Sequence, residues 1–152
     1  MDIKRGILFG IILIAGLAAV YFLKSETRPA MEGPRLEAIS SDKDLIEAGQ
    51  KIFFGRGQCA LCHTLSGEGR GKCPDLQNAG GRLTREFIYE TLTDPEAYVK
   101  LDFEAAAPKK FPARMPAIDK PPIGLTKQEL LMVISFIQSQ GGKVTVSPAE
   151  LH

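Results

Sequence analysis

The chain has little with which to staple or coordinate a fold. Of its 152 residues only three are cysteine and two histidine, and none is tryptophan. Three cysteines make no disulfide framework, least of all when two of them sit in one short motif and Cys73 is left alone. A structural zinc site takes four ligands, mostly Cys and His, and one of the two histidines here, His152, is the last residue. Strand patterning is also missing: Val144-Thr145-Val146 is too short to count. Nor is there an excess of charge. Nineteen Lys and Arg against 18 Asp and Glu give a formal net charge of +1, so nothing in the bulk charge points to nucleic acid. There are no internal repeats.

What is present is concentrated in five residues, Cys59-Ala60-Leu61-Cys62-His63. C-x-x-C-H is the pattern of covalent c-type haem attachment. Two thiols three positions apart can each form a thioether to one side of a porphyrin. The adjacent imidazole is then held against the iron, where haem proteins commonly use a proximal His. A C-x-x-C redox pair would want a βαβ context, and none is visible. One motif means one haem.

The second feature is an uncharged apolar run of 18 residues, Gly6 to Leu23. As a helix it would be roughly 27 Å long, close to the ~30 Å hydrocarbon core of a bilayer. A cleaved signal peptide competes with an anchor here. Its apolar stretch is usually shorter, about 7–15 residues, and ends at a small-residue site. This run passes through Ala18-Ala19 and continues to Leu23, which fits an uncleaved anchor better. Lys4 and Arg5 before it argue for a cytoplasmic N-terminus, though Lys24 and Arg28 follow it. C-type haem is normally attached outside the cytoplasm, so the rest of the chain is expected in the periplasm or an equivalent space.

This gives an anchor at 1–24, a tether at 25–41, a haem domain at 42–143 and a tail at 144–152. The tether carries two prolines, a glycine and mixed charges, with no sustained apolar period. A helix should start at Ser41, where Ser41 and Asp44 read as a capping-box-like start. Leu45, Ile46, Gly49, Ile52 and Phe53 share its apolar face, and Gly55 and Gly57 end it. Residues 66–82, rich in glycine, read as loop. Thr84 should cap a helix to about Leu92, stopped by Asp94-Pro95, with a weaker turn from Pro95 to Val99. Residues 100–124 are irregular and proline-rich. Thr126 and Glu129 form a T-x-x-E capping box for a last helix that carries Leu130, Val133, Ile134 and Ile137 on its apolar face and stops at Gly141-Gly142.

An electron carrier fills the second axial position of its iron. Met1 and Met31 belong to anchor and tether, Met132 lies inside the last helix, and His152 is at a terminus, where fraying is the rule. Met115, in Ala113-Arg114-Met115-Pro116, stands in an irregular segment stiffened by Pro112 and Pro116. A loop can bring its thioether to the iron, or it covers the haem edge. Met/His ligation raises the potential and leaves no open site for oxygen or substrate.

From about Asp42 to Gly142 the chain resembles a class I c-type cytochrome. The residues that carry the resemblance are Gly49 and Phe53, then Cys59, Cys62 and His63, then Pro74-Asp75-Leu76, Met115-Pro116 and Leu125-Thr126-Lys127-Gln128-Glu129. The resemblance implies an all-α fold of three to five helices around one covalent haem c, here preceded by one transmembrane helix. It implies that the Pro74 carbonyl accepts a hydrogen bond from the ligating His63 imidazole. It also implies that Arg82 contacts a haem propionate, that Met115 is the sixth ligand, and that the first and last helices cross at Gly49 and Phe136. Helix-then-Asp94-Pro95-Glu96-Ala97-Tyr98 looks most like cytochrome domains attached to haem-copper oxidases and related membrane complexes. The chain departs from the pattern at Cys73, where Gly is common. It also has no Trp for the propionate contact some members make, which leaves Tyr98 or Tyr89 as candidates.

The expected function is single-electron transfer by Fe(III)/Fe(II) cycling, not an enzymatic activity. It would operate between or within redox complexes of the inner membrane on the periplasmic side. Expected partners are an oxidase, a cytochrome bc-type complex or a reaction centre, other cytochromes, and the lipid bilayer, with no nucleic acid. The alternatives are a haem sensor or small haem enzyme with a labile sixth position, and a structural haem subunit. The expected docking face lies around the attachment motif and the Met115 loop. There Arg56, Arg70, Lys72, Arg82, Lys109, Lys110, Arg114 and Lys120 outnumber Glu68, Asp75 and Asp119, and such an excess steers an acidic partner.

Overall fold

The structure, a computed structural model, describes residues 33–68, 73–97 and 114–152, together with Leu13, Ile14, Gly16 and Ala19. The chain divides into two compact units, Met1–Glu32 and Gly33–His152. In the first, the four described residues are helical and exposed. The rest of the expected anchor, and the tether up to residue 32, lie outside the described residues. Among the described residues no helix is long and apolar enough to cross a membrane.

The second unit is helical, with no strand among the described residues. Its helices are α1 (Asp42–Phe54), α2 (Ala79–Arg82), α3 (Arg85–Thr93) and α4 (Lys127–Ser139), with short 3₁₀ turns between and after them. The start of α1 is fixed by a reciprocal cap. The Asp44 N–H donates to Ser41 Oγ, and the Ser41 N–H donates to Asp44 Oδ2 at 2.9 Å. Thr126 and Glu129 close α4 in the same way. Each cap satisfies two backbone donors that the helix itself cannot.

The core is built around α4. Every residue from Glu129 to Gln138 is buried, so the expected single apolar stripe is incomplete. A helix covered all round is the centre of its domain: α1, α2, α3 and the C-terminal 3₁₀ turn (Pro148–Leu151) all pack on it. The tightest crossing is with α1. A Cβ at Gly49 would stand 1.9 Å from the Met132 carbonyl oxygen. Beside it, the Phe53 and Phe136 rings pack with centroids 5.2 Å apart.

The stretch expected to be loop through residue 82 contains α2. Its glycines are places of contact. A Cβ at Gly80 would meet the Gln138 carbonyl oxygen at 1.9 Å, one at Gly142 would meet the Gly80 carbonyl oxygen at 2.0 Å, and the Gly80 N–H donates to Gln140 O at 3.0 Å. Helix and chain reversal meet backbone to backbone, which needs glycine on both sides.

Both ends of the unit are tied down. Ile39, at the foot of the expected tether, is 6% exposed, and Leu36 packs on the core. Val146 and Leu151 in the expected tail are buried. Arg85 holds the tail to α3 through two hydrogen bonds to the Glu150 carboxylate, at 3.1 and 2.6 Å.

Candidate functional site

The end of α1 presents the C-x-x-C-H segment. The Gly55 and Gly57 N–H groups both donate to Ile52 O, at 3.2 and 2.9 Å, which turns the chain sharply. Gln58 follows at φ 56°, a left-handed conformation costly for a side-chain-bearing residue and common at functional turns. Cys59–Leu61 is then a 3₁₀ turn. The Cys59 carbonyl accepts from both Cys62 N–H (3.1 Å) and His63 N–H (2.9 Å), so one turn gathers the two cysteines and the histidine. Both cysteines are half-buried. Before any attachment, burial pushes the Cys59 thiol up to about 11.

His63 Nδ1 lies 2.8 Å from Pro74 O. A carbonyl can only accept, so Nδ1 carries a proton, and in the neutral imidazole it is Nε2 that has the lone pair able to bind a metal. Asp75 holds this proline in place. Its carboxylate accepts from the Thr64 hydroxyl, from Gly67 N–H at 3.1 Å and from Gln77 N–H at 2.8 Å, while Leu76 N–H donates to Thr64 O. Burial raises the Asp75 carboxyl, but the Thr64 hydroxyl and the backbone N–H groups of Gln77, Gly67 and Ser66 outweigh it, and the net shift is downward. Sequence reasoning gave neither Asp75 nor Thr64 a part in holding Pro74. The available signal was an Asp just after the proline, a residue type that bonds the backbone two positions on.

Beside His63 is a hollow of about 420 Å³, lined by Phe53, Phe54, Ala60, His63, Thr64, Leu65 and Ser66. Neither Met115 nor Arg82 lines it. Met115 is partly buried and packs on the hydrophobic core. Arg82 is exposed at the end of α2 and reaches Gln77 O at 3.4 Å. Met132 is wholly buried in α4, and His152 is exposed.

The family model for cytochrome c matches residues 46–141, more than half of the chain. The chain belongs to the cytochrome c family. A comparison with curated proteins found no match. The domain implies covalently bound haem c, and the residues fit it: two cysteines and an imidazole oriented by the Pro74 carbonyl in one turn, beside a hollow with largely apolar walls. The family is one of electron-transfer proteins. The match begins inside α1 and ends just past α4, so this cytochrome's packed ends at 33–45 and 142–152 lie outside it.

Tyr89 lines a different hollow, with Arg85, Glu86, Glu90, Thr93, Lys127 and Leu131, and shares no wall residue with the His63 hollow. The basic excess expected for docking is also smaller than its count. Arg70, Lys72, Lys109 and Lys110 lie outside the described residues, as does Tyr98. Of the rest, Arg56 is paired with Glu129 at 2.5 Å, and Arg114 with Glu96 at 2.6 and 2.7 Å. Glu129 and Glu96 both lie outside the attachment motif and the Met115 loop.

Proposed function

We propose that the chain is a membrane-anchored, mono-haem electron carrier with His63 and Met115 as axial ligands and its haem domain, residues 42–143, in the periplasm. The observation that carries this reading is the His63 Nδ1–Pro74 O contact of 2.8 Å within the C-x-x-C-H turn. That contact orients the imidazole and raises its basicity toward a metal at Nε2. When bound, haem c supplies an iron that takes up and returns one electron. The chain does the rest. Cys59 and Cys62 tether the group, Pro74 aims His63, and Phe53, Phe54, Ala60 and Leu65 exclude water from one side. Met115, on a segment stiffened by Pro116, would supply its thioether as the second protein ligand. Arg82 is assigned to a propionate.

The anchor is the apolar run Gly6–Leu23. Because Leu36 and Ile39 pack on the haem domain, only residues 25–32 are left as tether. The partner shares the membrane: an oxidase, a cytochrome bc-type complex, a reaction centre or another cytochrome.

Optical spectra of the full-length protein test the ligand set. The expected result is a low-spin spectrum with a sulfur-to-iron band at the red end, indifferent to carbon monoxide when reduced. Met115→Ala should keep the haem attached, lose that band and bind carbon monoxide. An unchanged spectrum in Met115→Ala refutes Met115 as ligand, and a normal holoprotein from His63→Ala refutes the whole reading. A high-spin wild-type spectrum would favour the haem sensor.

A further inference from the structure

The Arg56–Glu129 pair has a place in the fold that surface ion pairs do not have. Glu129 is buried, its side chain only 6% exposed. One carboxylate oxygen, Oε2, accepts from Thr126 N–H and Oγ1, closing the N-terminus of α4. The other, Oε1, accepts from Arg56 Nη1, while Arg56 Nη2 reaches Gly124 O at 3.5 Å. Gly33 covers the pair: a Cβ there would stand 2.9 Å from Glu129 Oε1 and 3.4 Å from Arg56 Nη1.

Each end of this bridge leads toward an axial ligand. Arg56 lies between Gly55 and Gly57, in the turn just before Cys59. A Cβ on Gly57 would stand 2.8 Å from Ile52 O and 3.4 Å from Cys59 Sγ, and the Gly57 carbonyl lies 3.5 Å from that sulfur. At the other end, Gly124 precedes Leu125, whose N–H donates to Ile118 O at 2.8 Å. That bond closes the base of the segment leading back through Ala117 and Pro116 to Met115. The pair therefore joins the haem-attachment turn to the foot of the Met115 segment, across 73 positions of sequence.

We propose that Arg56 and Glu129 are positioning residues that fix the separation between the attachment turn and the Met115 segment, and so hold the Met115 thioether against competing ligands. This rests on the reading of Met115 as axial ligand. Neither residue touches the iron; they act through the backbone at Gly57 and Gly124. A planar guanidinium suits the task, because its fork can engage a carboxylate and a carbonyl together, and an ammonium cannot match that geometry.

The test uses full-length holoprotein in detergent, with Glu129→Gln, Arg56→Lys and Met115→Ala. Glutamine at this position still serves a capping box, so Glu129→Gln removes the ion pair and leaves the start of α4 intact. Imidazole is titrated against the ferric haem, and amide hydrogen exchange is followed at Leu125 and Leu130. The expected result for Glu129→Gln is imidazole affinity raised about tenfold, equivalent to about 1.4 kcal/mol. The Leu125 amide should lose protection, while the Leu130 amide, which donates to Thr126 O within α4, keeps it. Arg56→Lys should fall between this variant and wild type. A purely structural role would lower the unfolding midpoint without moving imidazole affinity. The proposal is overturned if Glu129→Gln and Arg56→Lys bind imidazole within twofold of wild type while Met115→Ala binds it more tightly. If Glu129→Gln does not fold, Arg56→Lys decides by the same criterion. If Met115→Ala also leaves the affinity unchanged, the ligand reading itself has failed and the proposal falls with it.

Discussion

Gly49→Ala is the sharpest stability test of this fold, because its two contributions have opposite sign and unequal size. A Cβ at Gly49 would stand 1.9 Å from Met132 O, 2.6 Å from Met132 C and 2.9 Å from Phe136 Cβ. An ordinary carbon-to-oxygen contact needs about 3.3 Å, so α1 must retreat from α4 by about 1.4 Å. The obstruction is backbone, in the middle of a helix buried on all sides, and cannot turn aside. Opening a packed seam by 0.5–1 Å already forfeits about a quarter to a half of its dispersion energy. Leu45, Ile52 and Phe53 lie on the α1 side of that seam. Overpacking typically costs about 1–3 kcal/mol, and a rigid clash belongs at the upper end. Alanine recovers about 1 kcal/mol of helix propensity over glycine. The net expectation is a loss of about 2 kcal/mol. With a urea dependence of about 2 kcal/mol per molar, the unfolding midpoint of the ferric holoprotein should fall by about 1 M. A midpoint equal to wild type, or raised by the propensity gain, would refute the crossing as described.

Two further outcomes follow from burial and charge. Cys73 is 5% exposed, so a thiol reagent should label the folded holoprotein slowly and then take up one equivalent on unfolding; rapid labelling of the folded form would contradict the burial, and three equivalents on unfolding would contradict thioethers at Cys59 and Cys62. The hydrogen bonds from the Arg85 guanidinium, and then the Ser147 N–H, hold the Glu150 carboxyl below its ordinary value. A carboxyl depressed in the folded state adds stability that is fully present above its unfolded pKa and is lost as pH falls through the folded one. Glu150→Gln should therefore flatten the acid limb of the stability curve below about pH 4.5. At neutral pH it should cost less than about 1 kcal/mol, as for other solvent-screened pairs. Identical acid limbs in variant and wild type would remove Glu150 from the acid response.

What could be read in the sequence was what is decided within a few residues. Ser41 with Asp44 and Thr126 with Glu129 are reciprocal caps three positions apart, and both helices start where those pairs put them. C-x-x-C-H is equally local: the chemistry sits in five consecutive residues. Gly49 was legible as a close approach because it interrupts an apolar helical face, where propensity alone disfavours it. Gly80 and Gly81 carried no such clue. In a stretch already rich in glycine, composition says loop, and α2 exists because Gly80 meets Gln138 and Gly142, about 60 positions away. Charge pairing meets the same limit. Counting Arg56 and Arg114 as docking cations required their partners to be nearby in sequence, but Glu129 is 73 positions from Arg56 and Glu96 is 18 from Arg114. Glu129 shows the limit most clearly. Its sequence context identifies one job, the cap, and that job occupies a single carboxylate oxygen. The second oxygen is what joins α4 to the haem-attachment turn, and only the folded chain brings Arg56 to it.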